Sequence, residues 1–529
     1  MLMFFDNEST LKFSNLIHYM NLTLIFIILF LAGTFHLMRT NHERFIGIIF
    51  MIRTKYGLEL LDRAANISPR LWKFIADFAV VLSFAGLGSW YIAKHRRIEP
   101  ILIIFYIAAS LIYYLSEGLS VATGILLIIL LLLIVSLITN FRNNPKTAFM
   151  FGFILFFLIA SKLFPDPLVG MGNDSILVSA PEIANLILLI FIGIIGIPAL
   201  LVGSLMFQGF MILTETSNTP GISPILPSEK DGRIGLSPRG EGFGDFFIPI
   251  QYALIAFAVL LIVHEFAHGV LARVEKIPVK SAGLLTLGPL PIGGFVEPDE
   301  ELLKKGNGIK NMRISVMGSF ANFVTALVFF IMLFSVIPLL FTFCVSNDII
   351  EFEGVVIDKT LKGYPAYEVI EDKSIIYSIN DKRVTTPTAF SEAMLNISPY
   401  QNITLTTDKG TFNLTTVENP ENATKAHIGV YMNPVPHTSK PTLTGAFYTI
   451  MELFYWIFLL NLMIGLVNLL PLVFFDGGRM FNELVNSFKL GRNAAKQIIY
   501  AVIVGMLIVV LVNISPLFNV FVEWIGSLV

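Results

Sequence analysis

The sequence predicts a polytopic α-helical membrane protein interrupted by one water-facing α/β domain, and three observations carry that prediction. Of 529 residues, 55% are hydrophobic and only 14% charged, where a soluble domain carries about 25%. Apolar runs of membrane-crossing length, or close to it, fall at 20–38, 74–93, 101–116, 119–139, 147–163, 183–213, 246–271, 314–343, 443–470 and 497–526. Between the last pairs of these runs, 351–434 breaks into short β-rich pieces separated by turns. The net charge of −2 gives no argument for nucleic acid, and none is expected as a partner; the lipid bilayer is.

Taken in order, residues 1–213 form an N-terminal multi-span region. Its polar start, "MLMFFDNESTLKFSN", leads straight into an apolar run, so no cleavable signal peptide is expected. A polar, Pro- and Gly-rich stretch at 214–245 reads as a linker. Residues 246–345 form the first part of a core, 351–434 the inserted domain and 443–529 the second part. The single cysteine, Cys344, excludes an intramolecular disulfide and any cysteine-based metal cluster.

Two segments depart from the helical pattern. "KSAGLLTLGPLPIGGFVEP" (280–298) has an uncharged middle that is too short for a helical span and that is itself broken by two prolines and four glycines. Alternating apolar residues between turn formers predict a strand pair or re-entrant loop. Such backbone is tolerated at membrane depth only against protein or a wet cavity, so it is expected to line a site. In 351–434, "GVVID", "NITLTT" and "TFNLTTV" read as strands and "TPTAFSEAML" as a capped helix. Four N-x-[ST] sequons, at Asn396, Asn402, Asn413 and Asn422, suit an extracytoplasmic surface.

Lys and Arg placement orients the spans. Arg273 to Arg313 and Arg479 to Lys496 are basic and belong inside, which puts 351–434 outside. The front half resists simple alternation. Arg39–Lys73, "KHRRIE" (94–99) and "FRNNPK" (141–146) all ask for the inside, which requires a re-entrant segment at 74–93 or at the Pro198-interrupted run 183–213.

The chemistry centres on "LLIVHEFAHGV" (260–270). An ionisable residue at the bilayer centre costs about 2.5–3.5 kcal/mol on insertion scales. His264 and His268 are four apart and stack on one helical face, where two imidazoles bind one divalent ion and Glu265 beside them reaches water at it. A catalytic zinc site needs a third protein ligand. The downstream loop offers only Glu275. The stronger candidate is Asp476 in "NLLPLVFFDGGRM" (468–480), after a span broken by Pro471; taken alone, that aspartate also reads as a cap or turn residue.

Together these motifs resemble the site-2 protease family of intramembrane metalloproteases. H-E-x-x-H appears as "HEFAH", and N-x-x-P-x-x-x-L-D-G as "NLLPLVFFDG" with Phe475 for the usual leucine. The family's glycine-containing β-hairpin looks like "PIGGFV" (291–296), and its G-x-x-x-N helix like "GSFAN" (318–322). All four occur in the family's order across about 250–480. "GYPAYEV" and "IIYSINDKRVTT" resemble the PDZ pattern, with Tyr364, Ser374 and Asp381 departing from it. Residues before about 210 carry only a loose likeness to archaeal multi-span members.

The resemblance implies one catalytic Zn²⁺ held by His264, His268 and Asp476, with Glu265 as the catalytic base. It implies substrate or oxyanion contacts from Asn322 and Asn468, and strand addition at the hairpin around Gly293 and Gly294. The expected substrate is a single-span membrane protein already shortened by another protease, with peptide docking at the PDZ-like domain. Cleavage is expected near the cytoplasmic face. Two alternatives compete: a membrane-anchored zincin of the prenyl-protein-protease kind, and a non-catalytic peptide-binding receptor or scaffold.

Overall fold

The computed structural model describes residues 30–40, 43–95, parts of 144–156, 180–346, 352–436 and 441–518, apart from short gaps. The expected spans at 101–116 and 119–139, most of 147–163, and the outer ends of 20–38 and 497–526 lie outside the described residues. In chain order the elements are β1 (Glu43–Ile46), β2 (Ile49–Thr54), α1 (Leu58–Ile67), α2 (Pro69–His95), α3 (Ala180–Ile195) and α4 (Ile197–Leu213). Next come β3 (Ile225–Lys230), β4 (Arg233–Pro238), β5 (Ile248–Pro249), α5 (Ile250–Val274), β6 (Val279–Leu287), β7 (Leu290–Pro298), α6 (Glu300–Lys305) and α7 (Gly308–Ile331). A π turn (Met332–Val336) leads to α8 (Ile337–Ser346), β8 (Phe352–Thr360), β9 (Ile375–Ile379), β10 (Lys382–Arg383) and α9 (Pro387–Leu395). The chain ends through β11 (Asn402–Thr407), β12 (Gly410–Thr415), β13 (Val417–Asn419), β14 (Asn422–His427), β15 (Val430–Pro436), α10 (Pro441–Val467), α11 (Asp476–Ser487) and α12 (Arg492–Ile514).

Five helical stretches among the described residues have the length and apolar composition of a membrane span: α2, which folds back on itself, α5, the run from Gly308 to Cys344, Gly445–Val467 of α10, and α12. The protein is therefore a polytopic helical membrane protein. It divides into two units, one of residues 1–327 with 456–529 and one of Val328–Tyr455.

In the first unit, α2 does not run straight. Ala85 has φ 46° and ψ −120°, which no helix contains. A Cβ added at Gly88 would lie 2.4 Å from the Val80 carbonyl oxygen and 3.0 Å from the Val81 Cα. In a continuous helix, residues eight apart are separated by about 12 Å along the axis. The segment is thus a hairpin of two helical legs that pack on each other. Its 27 residues are spent on one leg of about 24 Å and one of about 15 Å at 1.5 Å per residue.

Helices α3 and α4 make a second hairpin about Gly196, whose φ of +79° suits only glycine. Gly203 approaches the Leu188 side chain, and Leu189, Ile192 and Ala199 are buried between the legs. The two turns meet: a Cβ at Gly196 would lie 2.3 Å from the Ser83 carbonyl oxygen, and one at Gly86 would lie 3.1 Å from the Gly193 carbonyl oxygen.

The segment at 280–298 forms the strand pair β6–β7, closed by Gly288 at φ +55°. It belongs to a four-stranded antiparallel sheet ordered β1-β2-β6-β7. Strand β2 pairs with β6 from Ile49↔Leu287 to Thr54↔Ala282, which leaves β7 as an outer strand. Arg53 of β2 and Ser281 of β6 both bind the Glu297 carboxylate of β7, at 3.1 and 2.7 Å. The hydrogen bond from Ser281 and the charge of Arg53 hold that carboxyl below its ordinary range.

The stretch 214–245, expected as a linker, carries structure. Strands β3 and β4 pair from Ile225↔Pro238 to Lys230↔Arg233, and β5 adds to β4 just before α5. Proline within "ILPSEK" hides the strand from a sequence reading; β3 is an edge strand, where proline is tolerated.

In the second unit, β12-β11-β9-β8-β15 form an antiparallel sheet, with β10 on β9. Phe390, Ala393 and Met394 of α9 are buried with Ile357, Ile376, Ile403 and Leu405 of the sheet. Thr386 caps α9 by accepting from the Ala389 N–H, with Pro387 in its first turn. Phe329 and Phe454 meet edge-to-face at 4.9 Å where the helical runs enter and leave this unit.

The Gly196 turn can be tested directly. Gly196→Ala forces an L side chain into a conformation that costs about 1–3 kcal/mol and drives its Cβ into the Ser83 carbonyl. Thermal melting in detergent should drop by several degrees. Gly505→Ala in α12, where a Cβ meets nothing within 4 Å, should cost nothing.

Candidate metal centre

Helix α5 is apolar over most of its length and stacks His264 and His268 on one face, with ring centroids 4.7 Å apart. The third group arrives from residue 476. Beyond α10 the chain turns through Pro471 and restarts as α11, with Asp476 in its first turn, where a negative side chain is favoured. That turn is closed by the Gly477 N–H donating to the Asn468 carbonyl at 2.7 Å. Gly477 and Gly478 are both required, because a Cβ at either would lie 2.1–2.4 Å from the carbonyl oxygens of Leu469 and Leu472.

The three side chains converge. Asp476 Oδ2 lies 3.2 Å from His264 Nε2 and 3.0 Å from His268 Nε2, and the two nitrogens are 3.1 Å apart. Tetrahedral zinc with bonds of about 2.0–2.2 Å places its donors about 3.3–3.5 Å from one another. The observed triangle is smaller by only a few tenths of an ångström. Among the described residues this is the one His/Cys/Asp/Glu group of metal-holding geometry.

The protonation pattern points the same way. His268 Nδ1–H donates to the Ile314 carbonyl of α7 at 2.6 Å, so a neutral ring turns the lone pair of Nε2 towards the triangle. A carboxylate oxygen and two ring nitrogens facing each other in this way call for a cation among them. The donor set of two imidazoles and one carboxylate suits zinc and leaves a fourth position open.

Helix α7 passes the triangle at Gly318. A Cβ there would lie 2.3 Å from His268 Nε2 and 2.6 Å from His264. One turn later Asn322, fully buried, places its carboxamide nitrogen 3.2 Å from His264 Nδ1. Asn322 thus faces the ligand ring. Its Oδ1 and the hydroxyl of Ser319 are buried without a hydrogen-bond partner among the described residues, as is Asn461 Oδ1 on α10.

Glu265, one residue on from His264, is turned towards β7: a Cβ at Gly294 would lie 3.0 Å from its Cγ. Gly293, on the opposite face of the strand, meets only Leu285. The structure therefore gathers His264, Glu265, His268, Asp476, Asn322 and Gly294. Asn468 contributes its main-chain carbonyl to the Asp476 turn, and Gly293 stands away from Glu265. Sequence reasoning missed Ile314, which acts through a backbone carbonyl that no side-chain pattern announces. It quoted Gly318 only as part of "GSFAN".

A family model described as "Peptidase family M50" matches residues 252–512. A protein of Methanocaldococcus jannaschii described as uncharacterized is 29% identical over 307 residues, covering 57% of this chain and 73% of that protein.

Gly318→Ala should lower metal affinity at least tenfold, the scale on which disturbed ligand support acts. Metal per chain, measured by mass spectrometry on purified protein after dialysis against buffered zinc, checks this.

Proposed function

Through residues 252–512 the chain belongs to peptidase family M50, the site-2 protease family, and from that premise we propose that it is a zinc endopeptidase cutting membrane-anchored proteins within or near a transmembrane segment. Membership makes it a membrane metalloprotease in general. The observation that carries the finer reading is the triangle of His264, His268 and Asp476 with Glu265 alongside.

His264, His268 and Asp476 would hold Zn²⁺. The ion's part is that of a Lewis acid, polarising the scissile carbonyl and lowering the pKa of water at its open position towards 7. Glu265 takes a proton from the attacking water as its oxygen bonds to the peptide carbon. It then returns that proton to the amide nitrogen as the C–N bond breaks. Asn322 orients His264: with its carboxamide turned through 180°, Oδ1 accepts from Nδ1–H and leaves Nε2 as the ligand. Strand β7 offers its outer edge to an extended substrate beside Glu265, an addition in which main-chain hydrogen bonds supply affinity.

The proposed substrate is a single-span protein already shortened by another protease. The β8–β15 unit, proposed as PDZ-like and extracytoplasmic, acts as a docking site or size filter. Asp476 favours this reading over a prenyl-protease-like zincin, which would leave the "DGG" turn unexplained, and over a scaffold, which needs none of the four polar groups.

We also propose that both helical hairpins are re-entrant. If α2 enters and leaves from the cytoplasmic side, Arg39–Lys73 and "KHRRIE" both stay inside. The apolar runs that the sequence offers at 101–116 and 119–139, if they cross, return "FRNNPK" to the inside, the run at 147–163 would then exit, and α3–α4 dips back from outside. Helix α5 then runs inward and ends at Arg273 on the basic side, which agrees with the loop charges throughout.

Two measurements test these proposals. Glu265→Gln should keep zinc and lose about 10²–10⁴-fold in cleavage of a candidate single-span substrate, while Asp476→Asn should lose zinc and activity together. A Glu265→Gln protein that still cuts at the wild-type rate defeats the protease reading. In a Cys344→Ser background, cysteines at Arg70 and at Lys94 should react with an impermeant maleimide from the same, cytoplasmic side; labelling from opposite sides rules out the re-entrant α2.

A further inference from the structure

A cluster of buried charges lies beside the metal centre, and the mechanism above makes no use of it. Asp77, on the first leg of α2, is 1% exposed and holds Arg313 of α7 by two contacts, Nε–Oδ1 at 2.7 Å and Nη2–Oδ2 at 3.1 Å. The remaining guanidinium nitrogen reaches Glu275 Oε1 at 2.7 Å. Glu275 is the C-cap of α5, and Arg313 and Glu275 are each 4% exposed. Lys73 stands 3.7 Å from the other Glu275 oxygen, and Lys310 donates to the Glu275 carbonyl at 3.1 Å. Asp77 and Glu275 balance Arg313 and Lys73, and Lys310 adds a further positive charge at the Glu275 carbonyl. Such buried clusters are often no more stable than an apolar replacement of similar volume, so stability alone does not account for this one.

Its location suggests a role. Arg313 is the residue before Ile314, whose carbonyl holds the His268 ring, and Gly318, which passes the two histidines too closely for a Cβ, follows within one and a half turns. A one-residue slip of α7 along α5 is about 1.5 Å. That is enough to break the Ile314 contact or to press α7 into the rings. Apolar packing between membrane helices is driven by shape alone, because lipid is as apolar as the side chains. The ion cluster, in contrast, admits one register. Resting on the protease reading, we propose that Asp77 is a positioning residue for the metal centre: through Arg313, shared with Glu275, it locks the register of α7 on α5 and so the orientation of His268. Asp77 lies outside the stretch matched by the family model, so the N-terminal region sets the geometry of a site whose donors it does not supply.

The test uses the full-length protein in detergent, stripped of metal and titrated with zinc against a chromophoric chelator. Asp77→Asn should weaken zinc binding about 10–100-fold, as loss of ligand-orienting partners does. Because that variant leaves Arg313 under-compensated and risks misfolding, a triple variant, Asp77→Leu with Glu275→Leu and Arg313→Met, removes the three buried charges at once and leaves Lys73, whose side chain is 35% exposed, to solvent. It should melt in the metal-free state at or above the wild-type temperature and still bind zinc at least tenfold more weakly. A folded triple variant with wild-type zinc affinity overturns the proposal and assigns the cluster a structural role only. The readout is metal affinity, so a failure to find cleavage by the wild type would count against the protease reading alone.

Discussion

Two imidazole nitrogens and a carboxylate oxygen are held within 3.2 Å of one another, a spacing that calls for a positive charge, a proton or a metal ion, among them. In an apolar interior such interactions are weakly screened, and the surrounding structure fixes where each donor points. The Ile314 carbonyl fixes the His268 ring, Asn322 faces the His264 ring, and the Asn468–Gly477 bond closes the turn that delivers Asp476. Each of these supports comes from α7 or from the α10–α11 junction, not from α5. The centre is therefore a property of how three helical segments pack, and Gly318, Gly477 and Gly478 leave that packing no room for a side chain.

How much of this was legible in the sequence differs by residue. The His264–His268 spacing reads directly, because four residues make just over one helical turn. Asp476 was readable as a functional carboxylate from its place at a helix interruption, and it gained its role as ligand through the motif around it. The strand pair at 280–298 followed from its glycines, prolines and alternation. What did not show is non-local. That β2 covers β6 depends on a pairing across more than 200 residues, and the ion pair of Asp77 with Arg313 on one across 236. Single-chain patterns carry no information on such partners.

The fold-back of α2 is the instructive failure of pattern reading. "FAVVLSFAGLGSWYIA" has the composition and length of a membrane span, and no proline marks the break. The strain falls on Ala85, a residue with ordinary helical preference, at φ 46°. Loop charges nevertheless demanded an extra turn in this half of the chain. Positive loops report which side a segment ends on, whereas apolar length reports only what it is able to cross.

The two hairpins also explain each other. A turn within a membrane protein exposes backbone N–H and C=O groups that lipid cannot satisfy, so it must be covered by protein. At Gly196 the N–H is returned to the Ile192 carbonyl at 2.8 Å, and the turn is capped by the Ser83–Ala85 backbone of the other hairpin. At Gly86 the neighbour is the Gly193 backbone. Each turn is the lid of the other, and side chains larger than hydrogen at these contact points would hold them apart. On the proposed re-entrant reading, neither hairpin is satisfied alone at membrane depth and the two form as a pair. The first leg of α2 also carries Asp77, which meets Arg313 of α7. The non-catalytic front of the chain and the metal centre are in this way parts of one packing problem, solved once in the first unit.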